Sequence, residues 1–329
     1  MLNLVTGATG FLGRRLAERL VANDSAVRLF VRDPNRLPDP LSARCEVFSG
    51  DLGDPISIEA AVAGSDVIFH CAANVKPWDT PAAYHAANVI GVDNLLRAIE
   101  RTNPSLQRLV HLSTVDVYGF PESPCDEDCP LDGGGFGYGE SKLAGERLVR
   151  QFGEETAIPV TIFRPTNIFG PGSPFVAGIG DAMNDGLMLK IDGGQADAGV
   201  VDVDNLIDYL LWAASAPKAV GQTYNVSDDY AADWDTVLRE LKYRIEARGW
   251  ILNLPYGVAA AAATLFEGVH RVVLPHREPL LHRLLVRMLG RTCGHSARKL
   301  REHSGIISAI NFADCMQRSA AWYLDARNR

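Results

Sequence analysis

The chain has 329 residues, which is too long for one small domain and too short for three. Hydrophobic residues make up 47% and charged residues 22% of it, so collagen-like, coiled-coil and disordered chains are excluded. A net charge of −8 argues against a general nucleic-acid binder. No apolar run reaches membrane-spanning length, and the six cysteines lack metal-binding spacing. We therefore expect a cytoplasmic protein with reduced thiols and no metal.

Charge is distributed unevenly along the chain. Residues 1–238 contain 17 Lys and Arg against 33 Asp and Glu, a net −16, whereas residues 239–329 contain 15 against 7, a net +8. Within the basic part, residues 280–291 combine apolar pairs four apart with several basic residues. This basic amphipathic helix has three interpretations: a core helix with a solvated basic face, a wall of an apolar substrate pocket, or a peripheral contact with a membrane surface.

Short β-rich runs alternate with helical patterns through the first half of the chain, at residues 2–5, 26–31, 45–49, 66–71, 108–113 and 160–164. Because parallel strands need long crossovers that bury an apolar face, this alternation predicts an α/β fold with a doubly wound parallel sheet of Rossmann type. A Gly/Pro-rich stretch and a long helical pattern from about Pro255 to Gly290 then predict a smaller, mainly helical domain. We place the sheet domain at 1–165, with returning segments at about 195–230, and the substrate-binding portion at 166–194 and 231–329.

Three glycines, Gly7, Gly10 and Gly13, directly follow the first predicted strand. A loop without Cβ atoms lets backbone amides and the next helix N-terminus approach a pyrophosphate, so this spacing predicts a dinucleotide site. At the end of the second strand, Arg32 stands where an arginine would pair with a 2′-phosphate, and the strand itself ends without a carboxylate. The sequence therefore favours NADP, with NAD as the alternative.

Tyr138 and Lys142 are four residues apart in a predicted helix, so both lie on one helical face. A cation beside a phenol favours the phenolate and brings the tyrosine pKa closer to the range useful for acid–base catalysis. Ser113 and Thr114 follow the fifth predicted strand, at the edge of the sheet where ligands bind. A hydroxyl at that edge can orient a carbonyl towards the phenol.

A series of segments in this order resembles the extended short-chain dehydrogenase/reductase superfamily, also described as the NAD-dependent epimerase/dehydratase family. They are residues 6–13, 51–52, 70–73, 88–96, 112–119, the pair Tyr138 and Lys142, and residues 164–171 and 201–206. Segments 224–228 and 296–300 resemble its 3β-hydroxysteroid dehydrogenase-like group. In this resemblance Asp51 contacts adenine, although the residue could equally cap the helix that begins near Asp54.

The resemblance implies a nicotinamide cofactor and a Thr-Tyr-Lys catalytic set. Tyr138 would act as acid or base, Lys142 would bind the nicotinamide ribose and lower the tyrosine pKa, and Thr114 would position the substrate oxygen. The implied cofactor contacts are Gly7, Thr9, Gly10, Phe11, Leu12, Arg32, Asp51, Leu52, Ala72, Ala73, Tyr138, Lys142, Pro165 and Asn167, and the implied substrate contacts are Asn74, Ser113 and Asn167. It also implies a homodimer through helices at 88–100 and 138–151, and gives Asn88 either a proton-relay or a structural role.

Fold and catalytic set alone do not name the substrate. A nucleotide sugar carries a diphosphate that needs Arg or Lys, yet the only basic residues at 165–238 are Lys190 and Lys218, with Arg298 or Lys299 further along. We expect an NADP(H)-preferring oxidoreductase that interconverts a secondary alcohol and a ketone on a bulky, apolar, sterol- or lipid-like small molecule. The alternatives are a nucleotide-sugar epimerase or dehydratase with tightly bound NAD, and a dinucleotide-sensing binding protein.

Overall fold

The computed structural model describes residues 1–135, 137–273, 279 and 281–328. The strands in this part of the chain are β1 Leu2–Thr6, β2 Ala26–Val31, β3 Glu46–Ser49, β4 Val67–His70, β5 Arg108–Leu112, β6 Val160–Pro165, β7 Asn167–Phe169, β8 Leu187–Ile191, β9 Val200–Asp202, β10 Gln222–Val226 and β11 Trp250–Leu254. The α-helices are α1 Phe11–Ala22, α2 Asp39–Arg44, α3 Pro55–Val62, α4 Pro81–His85, α5 Gly91–Thr102, α6 Gly137–Thr156, α7 Pro174–Asn184, α8 Val203–Ala213, α9 Trp234–Arg244, α10 Tyr256–Val273, α11 Arg283–Gly290, α12 Arg298–Ser304 and α13 Phe312–Arg327.

Seven strands form one parallel sheet in the order β3-β2-β1-β4-β5-β6-β10. Because β1 pairs with both β2 and β4, the winding direction reverses there and the carboxyl ends of β1 and β4 lie side by side. Such a reversal is where doubly wound sheets bind ligands. The topology confirms the predicted Rossmann-type sheet. Two smaller parallel pairs, β7 with β9 and β8 with β11, stand apart from it.

Helices cover both faces of the sheet, because its strands are apolar on both sides. On one face, Leu29 of β2 shares a buried core with Leu16 of α1 and Leu206 of α8. On the other, Ile68 of β4 packs in a core with Leu95 of α5. Each such fully buried aliphatic side chain stabilises the fold by about 1.5–3 kcal/mol relative to its exposed state. The layered packing brings the strand ends that hold the glycine turn and the catalytic residues to one edge.

A second core lies in the C-terminal part of the chain. It is centred on Trp234 of α9, whose side chain is fully buried and donates from Nε1 to the Met288 carbonyl at 2.9 Å. Phe169 from β7, Met183 from α7 and Tyr323 from α13 belong to the same core. Elements from three separate stretches of sequence therefore build the lobe that faces the carboxyl edge of the sheet.

The predicted helix from Pro255 to Gly290 is wrong as one element. The structure has two helices here, α10 and α11, and residues 274–278 and 280 of the predicted stretch lie outside the described residues. The apolar side of α11 packs inwards, with Val286 and Leu289 buried in the C-terminal core. In the described part of the chain, none of the helices is both long and apolar enough to cross a membrane.

Candidate active site

The glycine turn after β1 lies directly against the end of β4. Gly7 adopts φ +74°, and a Cβ at this position would lie 2.8 Å from the backbone of Ala72. A Cβ on Gly13 would lie 2.5 Å from the Gly7 carbonyl oxygen. The N-cap of α1 is Gly10, which has no side chain to accept from the first-turn amides. Because those amides stay open to an external acceptor, the turn fits the pyrophosphate of a dinucleotide.

The residues predicted for the adenosine end lie on the loops after β2 and β3. Asp33 caps the next turn by accepting from a backbone amide at 3.1 Å, and Arg32, directly at the end of β2, is exposed. The Asp51 carboxylate accepts from a backbone amide two residues on at 2.7 Å, whereas Asp54 caps α3. The alternative that Asp51 caps this helix is therefore wrong. The Leu52 carbonyl accepts from an α5 side chain at 2.8 Å, which fixes this loop.

Thr114 and Tyr138 meet at the carboxyl end of β5. The Thr114 hydroxyl caps the turn Val115–Tyr118 by accepting from the Asp116 amide at 3.2 Å, and it lies near the Tyr138 phenol. Burial and the Asp116 carboxylate raise the pKa of Tyr138, and the nearby Thr114 hydroxyl opposes this rise. The expected lowering of the tyrosine pKa is therefore wrong for this structure, in which the phenol stays protonated at neutral pH.

Lys142 is one turn further along α6 and points at the sheet. Its Nζ donates to the Leu112 carbonyl oxygen of β5 at 2.5 Å, and the side chain is only 5% exposed. Burial lowers the pKa of Lys142 to about 8, with the charges of Glu146 and Cys71 acting in the opposite direction. The ammonium is thus held at the end of β5. This placement explains why burial and Asp116, rather than Lys142, set the direction of the Tyr138 shift.

Ser113 is buried beside Glu146 of α6. Although burial opposes it, the Arg164 guanidinium holds the pKa of Glu146 below its ordinary range, and the nearby Ser113 hydroxyl acts in the same direction. Glu146 and Arg164 form an ion pair at 2.5 Å with both side chains almost completely buried. The Ser113 hydroxyl is itself buried and has no hydrogen-bond partner among the described residues. Its contact with a substrate therefore stays a prediction.

Asn88 ties the loop after β4 to α6. Its Oδ1 accepts from the Asn74 amide at 2.8 Å, and its Nδ2 donates to the Asn74 carbonyl at 3.1 Å and to the Ser141 hydroxyl at 3.0 Å. It lies in a π-type turn, Ala86–Ile90, between α4 and α5. These bonds favour the structural interpretation of Asn88. The Asn74 side chain itself donates to Asp79 at 3.0 Å, so it is engaged within its own loop.

The remaining predicted contacts surround the same edge. Ala72 and Ala73 are half-buried after β4, and the Ala72 amide donates to the Thr6 hydroxyl at 3.2 Å. Pro165 is the last residue of β6, and Asn167 opens β7 with its side-chain amide donating to a backbone carbonyl before β9 at 2.7 Å. The half-buried Thr9, Phe11 and Leu12 belong to the glycine turn and the start of α1.

Sequence reasoning missed two groups near the phenol, the half-buried Asp116 and the buried Cys293. Burial raises the pKa of Asp116 to about 6. The charge of Asp116 acts on both Tyr138 and Cys293, and the Cys293 thiol donates to the Met288 carbonyl at 3.5 Å. Asp116 lies within the quoted segment 112–119, two residues after Thr114, so its position offered a signal. Cys293 offered none, because it reaches the site from a distant loop.

The basic residues that the sequence analysis named for binding an anionic substrate do not line the pocket next to the site. Lys190 pairs with Asp235 at 2.7 Å, and Lys299 donates to a β10 carbonyl at 3.1 Å, while Arg298 is exposed beside an acidic neighbour on α12. Instead, Arg287 of α11 and Arg291, the residue that follows this helix, line a pocket of about 520 Å³ next to the loop that follows β5. These two arginines are the candidates for contacting an anionic substrate group.

A glycine turn that fits a pyrophosphate and a Thr-Tyr-Lys set at the same sheet edge define a nicotinamide-dinucleotide enzyme of Rossmann type. The chain belongs to the NAD dependent epimerase/dehydratase family, whose model matches residues 3–227. Its relatives and structural neighbours include extended short-chain dehydrogenases/reductases, both reductases and epimerases.

Two curated bacterial relatives are reductases. The chain is 31% identical over 314 residues to the 4-hydroxy-2-methyl-3-oxo-4-farnesyl-3,4-dihydroquinoline-1-oxide ketoreductase of Stigmatella aurantiaca, covering 94% of this chain and 93% of the relative. It is 27% identical over 333 residues to a 2-alkyl-3-oxoalkanoate reductase of Stenotrophomonas maltophilia, covering 97% and 98%. The solved UDP-glucuronic acid 4-epimerase from Bacillus cereus in complex with NAD shares the fold, at a TM-score of 0.77, 19% identity and 99% coverage of both chains.

Proposed function

We propose that the protein is an NADP(H)-preferring oxidoreductase that interconverts a ketone and a secondary alcohol on a bulky, apolar, lipid-like substrate. The observation that carries this proposal is the placement of the Thr114 hydroxyl near a Tyr138 phenol whose pKa is raised by burial, with Lys142 one turn further along α6 at the end of β5. A protonated phenol at the sheet edge is a proton donor for a carbonyl oxygen. Ketone substrates of the two reductase relatives, one carrying a farnesyl chain and one an alkyl chain, support the substrate class.

The residues that would hold the cofactor line one continuous edge of the sheet. The pyrophosphate would lie on the glycine turn and the α1 amides, and Arg32 would bind a 2′-phosphate. The residues proposed to contact the cofactor are Gly7, Thr9, Gly10, Phe11, Leu12, Arg32, Asp51, Leu52, Ala72, Ala73, Tyr138, Lys142, Pro165 and Asn167. When bound, the reduced nicotinamide supplies the hydride that the ketone carbon accepts.

The chain's own residues then handle the oxygen and the proton. Thr114 orients the ketone oxygen, and Tyr138 donates its phenolic proton to that oxygen as the C–O bond becomes an alcohol. The Lys142 ammonium stabilises the phenolate that remains. In the reverse direction, the same phenolate takes the proton of the alcohol.

The Tyr138→Phe variant tests this assignment. Removing the hydroxyl takes away the proton donor, so kcat for ketone reduction is expected to fall by roughly 10²-fold or more. NADPH binding, followed by fluorescence titration, is expected to change little, because the ring and its packing stay. Turnover retained in Tyr138→Phe would contradict the proposed role and favour a dinucleotide-sensing function.

Arg32→Ala tests the cofactor preference. A guanidinium bound to a 2′-phosphate is charge-assisted, so its loss is expected to weaken NADPH binding roughly ten-fold or more and to leave NADH binding nearly unchanged. Arg44→Ala removes an exposed arginine of α2 that pairs with Asp24; it is the control and should alter neither affinity. Equal affinities of the wild type for both cofactors would contradict the preference for NADP.

Arg287 and Arg291 favour a second candidate, a nucleotide-sugar epimerase or dehydratase with tightly held NAD. Two arginines one helical turn apart beside an open pocket suit a diphosphate. This function predicts bound NAD after purification and conversion of a UDP-sugar without net consumption of NADPH. It also predicts that Arg287→Ala weakens UDP binding, measured calorimetrically, whereas the reductase function predicts no UDP binding.

A further inference from the structure

The described side chains of α10 give it a largely apolar side towards solvent. Between residues 256 and 269 the only charged residue of this helix is Glu267, which is buried and pairs with Arg283 at 2.9 Å. The large apolar side chains that α10 exposes, here called the α10 face, are Val258, Leu265, Phe266, Val269 and Val273. Leu265 alone is 70% exposed. Surface helices of soluble proteins present charged or polar residues outwards, so packing within the chain does not explain this composition.

Exposed aromatic side chains stand on the elements that lead into α10. Trp250, at the start of β11, is 80% exposed, and Tyr243, near the end of α9, is 81% exposed. Trp250 lies opposite Leu187 in the pairing of β11 with β8, and Leu187 is exposed as well. Tryptophan and tyrosine combine an apolar ring with a polar group, which suits them to the boundary between water and lipid.

The surrounding segment is positively charged, in contrast to the acidic first part of the chain. Residues 239–291 contain nine Lys and Arg against four Asp and Glu, a net +5. Arg239 and Lys242 border the same surface depression as Tyr243, and Arg248 is exposed two residues before Trp250. Each basic residue held close to an anionic bilayer contributes about 1 kcal/mol of attraction. Because Arg283 pairs with Glu267 and two arginines line the pocket described above, the cations offered to an anionic surface are on the elements before α10, among them Arg239, Lys242 and Arg248.

A second copy of the chain fits this surface less well than a bilayer does. The 18 residues of α10 span about 27 Å, so its outer face covers roughly 300 Å², against about 800 Å² per partner in a stable protein interface. Two copies would also bring two segments of like charge together. We propose that the α10 face docks this lobe on the surface of an anionic lipid bilayer.

This docking replaces the membrane contact expected of α11, whose apolar side is buried. It goes beyond the reaction proposed above and is independent of it, because binding to lipid is measured without substrate. An apolar helix face inserted at the headgroup boundary gives reversible binding that grows with buried apolar area and with anionic lipid content.

Cosedimentation of the full-length protein with vesicles tests the proposal. We expect binding to vesicles of phosphatidylcholine mixed with phosphatidylglycerol, weak binding to phosphatidylcholine alone, and loss of binding at high salt. Leu265→Glu is expected to weaken partitioning onto the vesicles roughly ten-fold or more, because an anion replaces a leucine that would insert into the bilayer. Ile56→Glu is the matched control, since Ile56 is an equally exposed apolar residue on α3, and it should bind like the wild type.

A second readout separates lipid binding from folding and from self-association. Melting of Leu265→Glu by circular dichroism should match the wild type, since the side chain is exposed. Trp250 emission should shift to shorter wavelength with anionic vesicles, and Trp250→Phe should lose this component. Failure of the wild type to bind these vesicles would overturn the proposal. So would equal binding by Leu265→Glu, or a wild-type dimer in light scattering that this variant converts to a monomer.

Discussion

At the scale of single residues, Asp116 is a carboxyl group placed where its charge is costly. Burial raises its pKa to about 6, whereas an unfolded chain releases the proton near pH 4. Between these values the folded protein binds more protons than the unfolded chain, so stability falls as the pH rises through this window. Its charge also acts on Tyr138 and Cys293, so Asp116 influences the site at a cost in stability.

Asp116→Asn is therefore expected to be more stable than the wild type at about pH 7.5, by on the order of 2 kcal/mol. The difference should vanish near pH 4, where Asp116 is protonated in both states. Urea unfolding of both proteins at the two pH values measures it. A stability difference that is the same at both values would contradict the raised pKa.

The two hydroxyl residues after β5 show what sequence predicts at this scale. The motif predicts that Thr114 and Tyr138 come together, and the structure places the Thr114 hydroxyl near enough to act on the pKa of the phenol. It does not predict that Ser113 lies near Glu146, because a buried acid on α6 becomes its neighbour only in the folded chain. The direction of the Tyr138 pKa shift was unpredictable for the same reason.

At the scale of elements, the glycine turn is set by close approach of backbone atoms. A Cβ on Gly13 would lie 2.5 Å from the Gly7 carbonyl oxygen, so Gly13→Ala must displace the turn from α1. We expect this variant to bind NADPH roughly ten-fold or more weakly in a fluorescence titration. Gly178→Ala in α7 is the control, since its Cβ would meet nothing within 4 Å.

The control variant Gly178→Ala should bind NADPH as the wild type does. Its stability should rise by about 0.5–1 kcal/mol, because alanine has a better helix propensity than glycine. Unchanged NADPH affinity in Gly13→Ala would contradict the placement of the cofactor on this turn.

The sheet strands were predictable because each is a short apolar run between turn residues, and burial on both faces leaves that pattern intact. The helices after Pro255 were not predictable in the same way. Apolar periodicity marks both α10 and α11, yet α11 buries its apolar side in the C-terminal core and α10 exposes much of its own. Periodicity indicates an apolar side and does not say what covers it.

At the scale of the whole molecule, buried charges tie the C-terminal helix to the sheet domain. Arg318 of α13 pairs at 3.2 Å with Asp202, which is fully buried at the end of β9. It also pairs with Asp204 of α8, which in turn pairs with Arg15 of α1 at 3.0 Å. Residues far apart in sequence thus form one network. Sequence did not reveal it, because its members share no motif.

Arg318→Ala is expected to destabilise the protein by about 3 kcal/mol, because the buried Asp202 loses its charge partner. Arg298→Ala removes an exposed arginine 3.9 Å from an acidic neighbour and should cost less than about 1 kcal/mol. Chemical denaturation compares the two variants. Equal, small effects would show that the network contributes little to docking of α13.

Net consumption of NADPH most directly tests the proposal that this enzyme reduces a ketone with a dissociable cofactor. Purified protein is mixed with NADPH and a series of long-chain ketones, and the NADPH oxidised is compared with the alcohol formed. We expect one molecule of alcohol to form for each NADPH oxidised, and we expect Tyr138→Phe to abolish turnover. Protein that carries NAD through purification, and oxidises no NADPH with any of these ketones, would contradict it.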